Sequence, residues 1–186
     1  MRQKGLIISY LRTRLSDRLL DFGEDLQLWV ERNLDKRFQV VCDPTNCGCN
    51  FSLFQPMVFN LYLRCWEWSD GYLGLPDNLL IVASFGCPPK NIDRLFPSFH
   101  DFLMRHGKMH GFRHIAFDDT MVYSAIDAEG VRNMSELLIP LNYRMMPNNY
   151  AFKPINDVGV KIAMPITGVV FTATVIGICF NKISIH

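Results

Sequence analysis

No surplus of either charge sign is present in the 186-residue sequence. Nineteen Lys and Arg offset eighteen Asp and Glu, leaving +1 with neutral His. A chain without a basic excess has a weak electrostatic grip on phosphate backbones or anionic bilayers, so no nucleic acid is expected as a specific ligand. Basic residues do gather near the start (Arg2, Lys4, Arg12, Arg14, Arg18), but Asp17, Asp21, Glu24 and Asp25 follow and balance them. A Gly-rich phosphate loop, a GxSxG elbow and a Rossmann fingerprint are all missing, and the expectation is of no cofactor. Internal repeats, low-complexity tracts and a linker are missing too. The chain therefore reads as a single α+β domain over 1–186, long enough to bury a core. A secretory signal is not expected, because the apolar run 6–8 is broken by Ser9, Arg12 and Arg14. Six cysteines without such a signal point to free thiols in a reducing compartment.

Apolar residues are plentiful, at 49%, and their spacing suggests the elements. Ile8, Leu11, Leu15, Leu19, Phe22, Leu26 and Trp29 recur every three or four positions, which predicts an amphipathic helix. Gly23 is a place for it to bend or split, and Ser16 a cap for a second half. Residues 43–50 read as a turn-rich loop, and residues 51–68 as one or two strands interrupted at Pro56. Residues 79–85 are a short continuous apolar run, hence a buried strand. A helix should run from about Ile92 or Ser98 to Arg105, with Pro97 favouring the later start. Strands are expected at 113–117 and 121–126, and a helix capped by Asp127 over 131–138. The summed pattern predicts a mainly antiparallel β-sheet with two to three helices packed on it.

The chain closes on an uncharged run, 162–180, that begins at Ile162 and ends at Phe180. Nineteen residues suffice to cross a bilayer as a helix. Ten of them are Ile, Val or Thr, however, and Pro165, Gly168 and Gly177 interrupt the run. A long C-terminal β-hairpin over 158–183, turning at Thr167 and Gly168, is the preferred reading. The membrane anchor is the alternative.

Residues 100–117 hold His100, His106, His110 and His114. On a continuous helix His106, His110 and His114 would share one face, as helical metal ligands do. Gly107 and Gly111 lie between them, and Arg105, Lys108 and Arg113 add positive charge. The expectation is a polar helix terminus ending at Gly107, without a metal. Cys42, Cys47 and Cys49 have C-x4-C-x-C spacing, which suits no zinc knuckle. Cys87 would need a base to act as a nucleophile. Asp118 and Asp119 read as turn residues.

Aromatic and Met-rich stretches suggest contact surfaces instead. Trp66, Trp68, Tyr72 and Leu73 fall in one, and Tyr143, Met145, Met146, Tyr150 and Phe152 in another. The opening helix IISYLRTRLSDRLLDF and the strand, proline loop and helix NLLIVASFGCPPKNIDRLFPSFHDFLMRHG, followed by long closing strands, resemble tailed-phage tail-terminator and neck proteins. That resemblance implies a non-enzymatic subunit of a homo-oligomeric ring, commonly hexameric, at the head–tail junction. Its partners would be copies of itself and other structural proteins of a virion assembled in the host cytoplasm. The alternatives are a cytoplasmic small-molecule or peptide-binding sensory domain, and a metal- or thiol-dependent enzyme using the histidine cluster.

Overall fold

A computed structural model describes residues 7–8, 15–69, 74–118, 137–146 and 150–155. The chain divides into two compact units, Met1–Ile155 and Asn156–His186, and every described residue belongs to the first. The closing hairpin, the run 162–180, the strand at 121–126 and nearly all of the helix at 131–138 lie outside the described residues, as does the reach of a single domain to residue 186. Among the described residues, no helix is long and apolar enough to cross a membrane.

In chain order the elements are β1 (Ile7–Ile8), α1 (Asp17–Asn33), β2 (Val41–Thr45), β3 (Gly48–Gln55), β4 (Phe59–Trp66), β5 (Leu79–Gly86), α2 (Pro89–Met109), β6 (His114–Asp118), a 3-10 turn (Ile139–Leu141), β7 (Arg144–Met145) and β8 (Tyr150–Pro154). The strands form one sheet in the order β1-β2-β3-β4-β5-β6-β8-β7. Neighbours are antiparallel except β1 with β2 and β5 with β6. This is an α+β fold with a mostly antiparallel sheet. The segment expected as a loop at 43–50 is instead a tight hairpin, because Thr45 pairs with Gly48 and the ladder continues to Val41 and Ser52. Ile8 belongs to a strand and not to the first helix, since it pairs with Cys42.

Helix α1 starts where its sequence provides a cap. The Ser16 hydroxyl accepts from the Leu19 amide at 3.4 Å, and Asp17 places a negative charge in the first turn. Leu19, Phe22, Leu26, Trp29 and Val30 are buried along one side. Gly23 is buried among them, so the helix continues through it. The buried Gln27 binds the chain that enters β2: its amide donates to Phe38 O at 2.9 Å, and its carbonyl accepts from Val40 N at 2.8 Å.

Helix α2 departs from expectation at both ends. It begins at Pro89, a residue whose fixed φ and missing N–H suit a first turn, and it runs straight through Pro97. The interior proline removes one helical hydrogen bond. The stripe Ile92, Leu95, Phe96, Phe99, Phe102 and Leu103 is buried on both sides of it and holds the helix together. Gly107 does not end the helix either. A Cβ there would lie 2.9 Å from Leu80 Cδ1 and 3.0 Å from Ile155 Cδ1, so this glycine lets α2 lie close against the sheet. The terminator is Gly111, at φ +73. Its amide donates to Lys108 O at 2.9 Å, and the Phe112 amide donates to Gly107 O at 2.8 Å, the paired bonds that close a helix on a left-handed residue.

Both helices contribute to one core with the inward residues of β2 to β6 and β8. They run antiparallel: Trp29 Nε1 donates to Ser98 Oγ at 3.1 Å, and Ser98 Oγ donates to Asn33 Oδ1 at 3.0 Å, while Asp25 meets residues further along α2. Phe22, fully buried, touches Phe51 of β3, Phe102 of α2 and Phe112 beyond α2, with ring centroids 5.9, 5.6 and 5.3 Å away. A smaller cluster forms from Leu75, ahead of β5, and from Leu79, Ile81, Ala116 and Tyr150, the strand positions that alternate with inward ones.

Two substitutions check this packing in denaturant titrations. Phe22→Ala should cost about 4 kcal/mol, because the hole is lined by rigid rings. Pro97→Ala should raise stability by about 2 kcal/mol, by restoring a helical hydrogen bond at an exposed position.

Candidate functional site

The histidines separate into three places. His106 on α2 and His110 at its C-cap, one turn apart, face α1, where a single oxygen of Asp25 accepts from both. Asp25 Oδ2 lies 2.8 Å from His106 Nδ1 and 2.7 Å from His110 Nε2. Stacking sets the rings: His106 lies over Phe102 at 4.7 Å, and His110 stands edge-on to Phe22 at 5.8 Å. Burial alone would raise the Asp25 carboxyl. The hydrogen bonds from His110 and His106, and their charge, outweigh that and hold it below its usual range.

His114 does not join them. It lies beyond the end of α2, on β6, with its ring stacked on Phe152 at 5.0 Å. Burial pushes its pKa down, and its Nδ1 is buried without a partner. His100 lies 5.8 Å from Tyr143, centroid to centroid, and 6.5 Å from Phe96. Burial, helped by the charge of Lys153, lowers His100 to about 4, so it is neutral at pH 7. His100 Nε2 and Tyr143 Oη are both buried without hydrogen-bond partners, and burial raises the Tyr143 phenol.

The thiols are equally quiet. Cys49 and Cys65 are opposite one another on β3 and β4. Cys42 is raised by its hydrogen bond with Cys49 and by burial. For Cys49 the bond with Cys42 lowers the pKa, but its bond with Cys65 together with burial outweighs that and the net shift is upward. Cys47, in the β2–β3 turn, is partly buried. Burial pushes Cys87 up to about 11, so it is a thiol and not a thiolate at neutral pH. Among the described residues, Asp25, His106 and His110 are the one group of three metal-capable side chains whose ligand atoms all lie within 4.8 Å of one another. Asp118 ends β6 opposite Tyr150, and Asp119 lies outside the described residues.

The residues expected at a contact surface are dispersed. Trp66 and Phe152 pack against the smaller cluster, which includes Tyr150. Tyr143 is buried in the main core. Trp68, Met145 and Met146 are exposed, and Tyr72 and Leu73 lie outside the described residues. The most exposed large apolar side chains at one place are elsewhere, at the tip of the β3–β4 hairpin: Phe54 at 70%, Met57 at 69% and Val58 at 42%. Pro56 and Met57 occupy the middle of that turn, which the Val58 amide closes on Gln55 O at 3.0 Å. Met57 has φ +63, a left-handed conformation that costs a residue with a side chain about 1 kcal/mol or more. A cavity of about 260 Å³ opens beside the tip, bordered by Phe54, Met57, Phe59, Asn60, Gly86 and Cys87. Pro56 was the available signal for this turn, and the apolar residues around it were the missed one.

A buried base with a depressed pKa makes folding acid-sensitive. The unfolded chain takes up a proton at His100 near pH 6.5, whereas the folded chain does so only near 4. Its contribution is complete above pH 6.5 and is lost as pH falls toward 4. His100→Leu should flatten the fall in unfolding free energy across that window, by about 2 kcal/mol.

No protein-family model matches the chain, and neither does any curated protein.

Proposed function

We propose that this protein is a non-enzymatic assembly subunit that binds copies of itself through the β3–β4 tip. The observation that carries the reading is Met57: a large apolar side chain held in solvent on a left-handed backbone, next to an apolar cavity. Strain and exposure both count against the isolated subunit, and a contact that covers the tip removes the second of them. A projecting Met and an adjacent hollow are the two halves of a self-complementary contact, in which each copy fills the other. Phe54 beside them is an aromatic anchor of the kind that dominates interface energies. The tip is too small to be a whole interface, which buries roughly 800 Å² per partner, so it acts as the anchor of a larger one.

The quiet chemistry supports the same reading. His100, Tyr143, Cys42, Cys49 and Cys87 are all shifted toward their uncharged forms, which suits packing better than proton or acyl transfer. A hexameric ring at a phage neck or tail end is the most specific form of the proposal, and its support is the sequence resemblance alone.

Sedimentation velocity on the purified protein, from about 1 to 100 µM, tests it. The wild type should form a discrete oligomer. Met57→Gly should relieve the backbone, raising unfolding free energy by about 1 kcal/mol, while weakening association at least about tenfold. Phe54→Ser should weaken association without unfolding the chain. A wild type that stays monomeric throughout, or an oligomer indifferent to both substitutions, would contradict the proposal.

A further inference from the structure

The geometry points to Asp25, His106 and His110 as a binding site for one divalent transition-metal ion, zinc being the type, that clamps α1 to α2. The inference stands apart from the assembly reading. Two imidazoles and one carboxylate are a donor set for zinc, cobalt or nickel, whereas magnesium and calcium demand oxygen. Their ligand atoms, His106 Nδ1, His110 Nε2 and a carboxylate oxygen of Asp25, lie within 4.8 Å of one another. A tetrahedral zinc with bonds of about 2.0–2.1 Å holds its ligands roughly 3.3 Å apart. The oxygen now lies 2.8 and 2.7 Å from the two nitrogens, so it need separate from each by only about half an ångström. Asp25 and His106 are a quarter to a third exposed and have room to do so.

Two protons now occupy the place of the ion. Each nitrogen donates its hydrogen to the same carboxylate oxygen, and once the hydrogens leave, each presents a lone pair toward that oxygen's side of the site. The rings are already aimed, because Phe102 and Phe22 fix their planes. Two neighbouring cations have partners of their own. Arg105 pairs with Asp101. Arg18 lies over the Phe112 ring at 4.3 Å, donates to Asn78 Oδ1 at 2.7 Å and has Glu67 at 4.0 Å. The partly exposed edge of His106 leaves the ion's fourth position to water, as in zinc sites with three protein ligands.

Calorimetric titration of the chelator-treated full-length protein with zinc chloride tests this, followed by the visible spectrum with cobalt. The expected result is one equivalent bound at micromolar affinity or tighter, weakened at least about 100-fold in both His106→Gln and Asp25→Asn. Cys47→Ser and His114→Ala should leave it unchanged, and the cobalt spectrum should lack a thiolate charge-transfer band. His106 is partly exposed, so His106→Gln should keep the fold, which circular dichroism checks. Absence of saturable binding, binding that survives His106→Gln, or binding lost in Cys47→Ser would overturn the assignment.

Discussion

Everything described in this fold depends on two helices burying their apolar stripes on one face of one sheet. Phe22 marks the place where this constraint is tightest. Its ring meets β3, α2 and the chain beyond α2 at once. Once Phe22 is seated, α1 has no freedom to rotate, and Asp25, three residues further on, is turned toward α2. The same packing drives α2 through Pro97 and draws it onto the sheet at Gly107. His106 and His110 are therefore delivered to Asp25 by aromatic packing, and their hydrogen bonds follow from it. Aromatic pairs of this kind contribute about 0.5–1.5 kcal/mol each beyond the area they bury, enough to decide which of two nearby rotations a helix takes.

The sequence was most legible where one physical period dominated. Leu19, Phe22, Leu26 and Trp29 announced α1, and the run 79–85 announced a buried strand. Legibility failed where tertiary packing overrode a local rule. Pro97 and Gly107 are helix breakers in isolation, and both sit inside α2 because the buried stripe on either side is worth more than the bonds they weaken. The turn-rich composition of 43–50 hides a ladder, because Pro44 and Gly48 belong to the two strands of a tight hairpin.

The histidine cluster was half legible. The four-residue spacing puts His106, His110 and His114 on one face only of a continuous helix, and Gly111 ends the helix before His114. Asp25 was counted only as charge balance. One signal was present: it lies three residues after Phe22 and four before Trp29, so a carboxylate had to stand at the edge of a buried stripe. A buried-edge carboxylate needs donors, and only long-range packing could reveal that they come from residues 81 and 85 positions away. The expected contact residues are dispersed for a related reason. Aromatic density pointed to Trp66, Tyr143 and Tyr150, which the core took, while the β3–β4 tip left Phe54 and Met57 outside.

Heteronuclear NMR on the full-length protein tests the central claim most directly, through backbone carbon shifts and imidazole nitrogen shifts. Helical carbon shifts should run without a break from Pro89 to Met109, and the His106 and His110 ring nitrogens should both move in Asp25→Asn while His114 does not. A helix that breaks at Pro97 or Gly107, or rings that ignore Asp25, would contradict the packing from which the site follows.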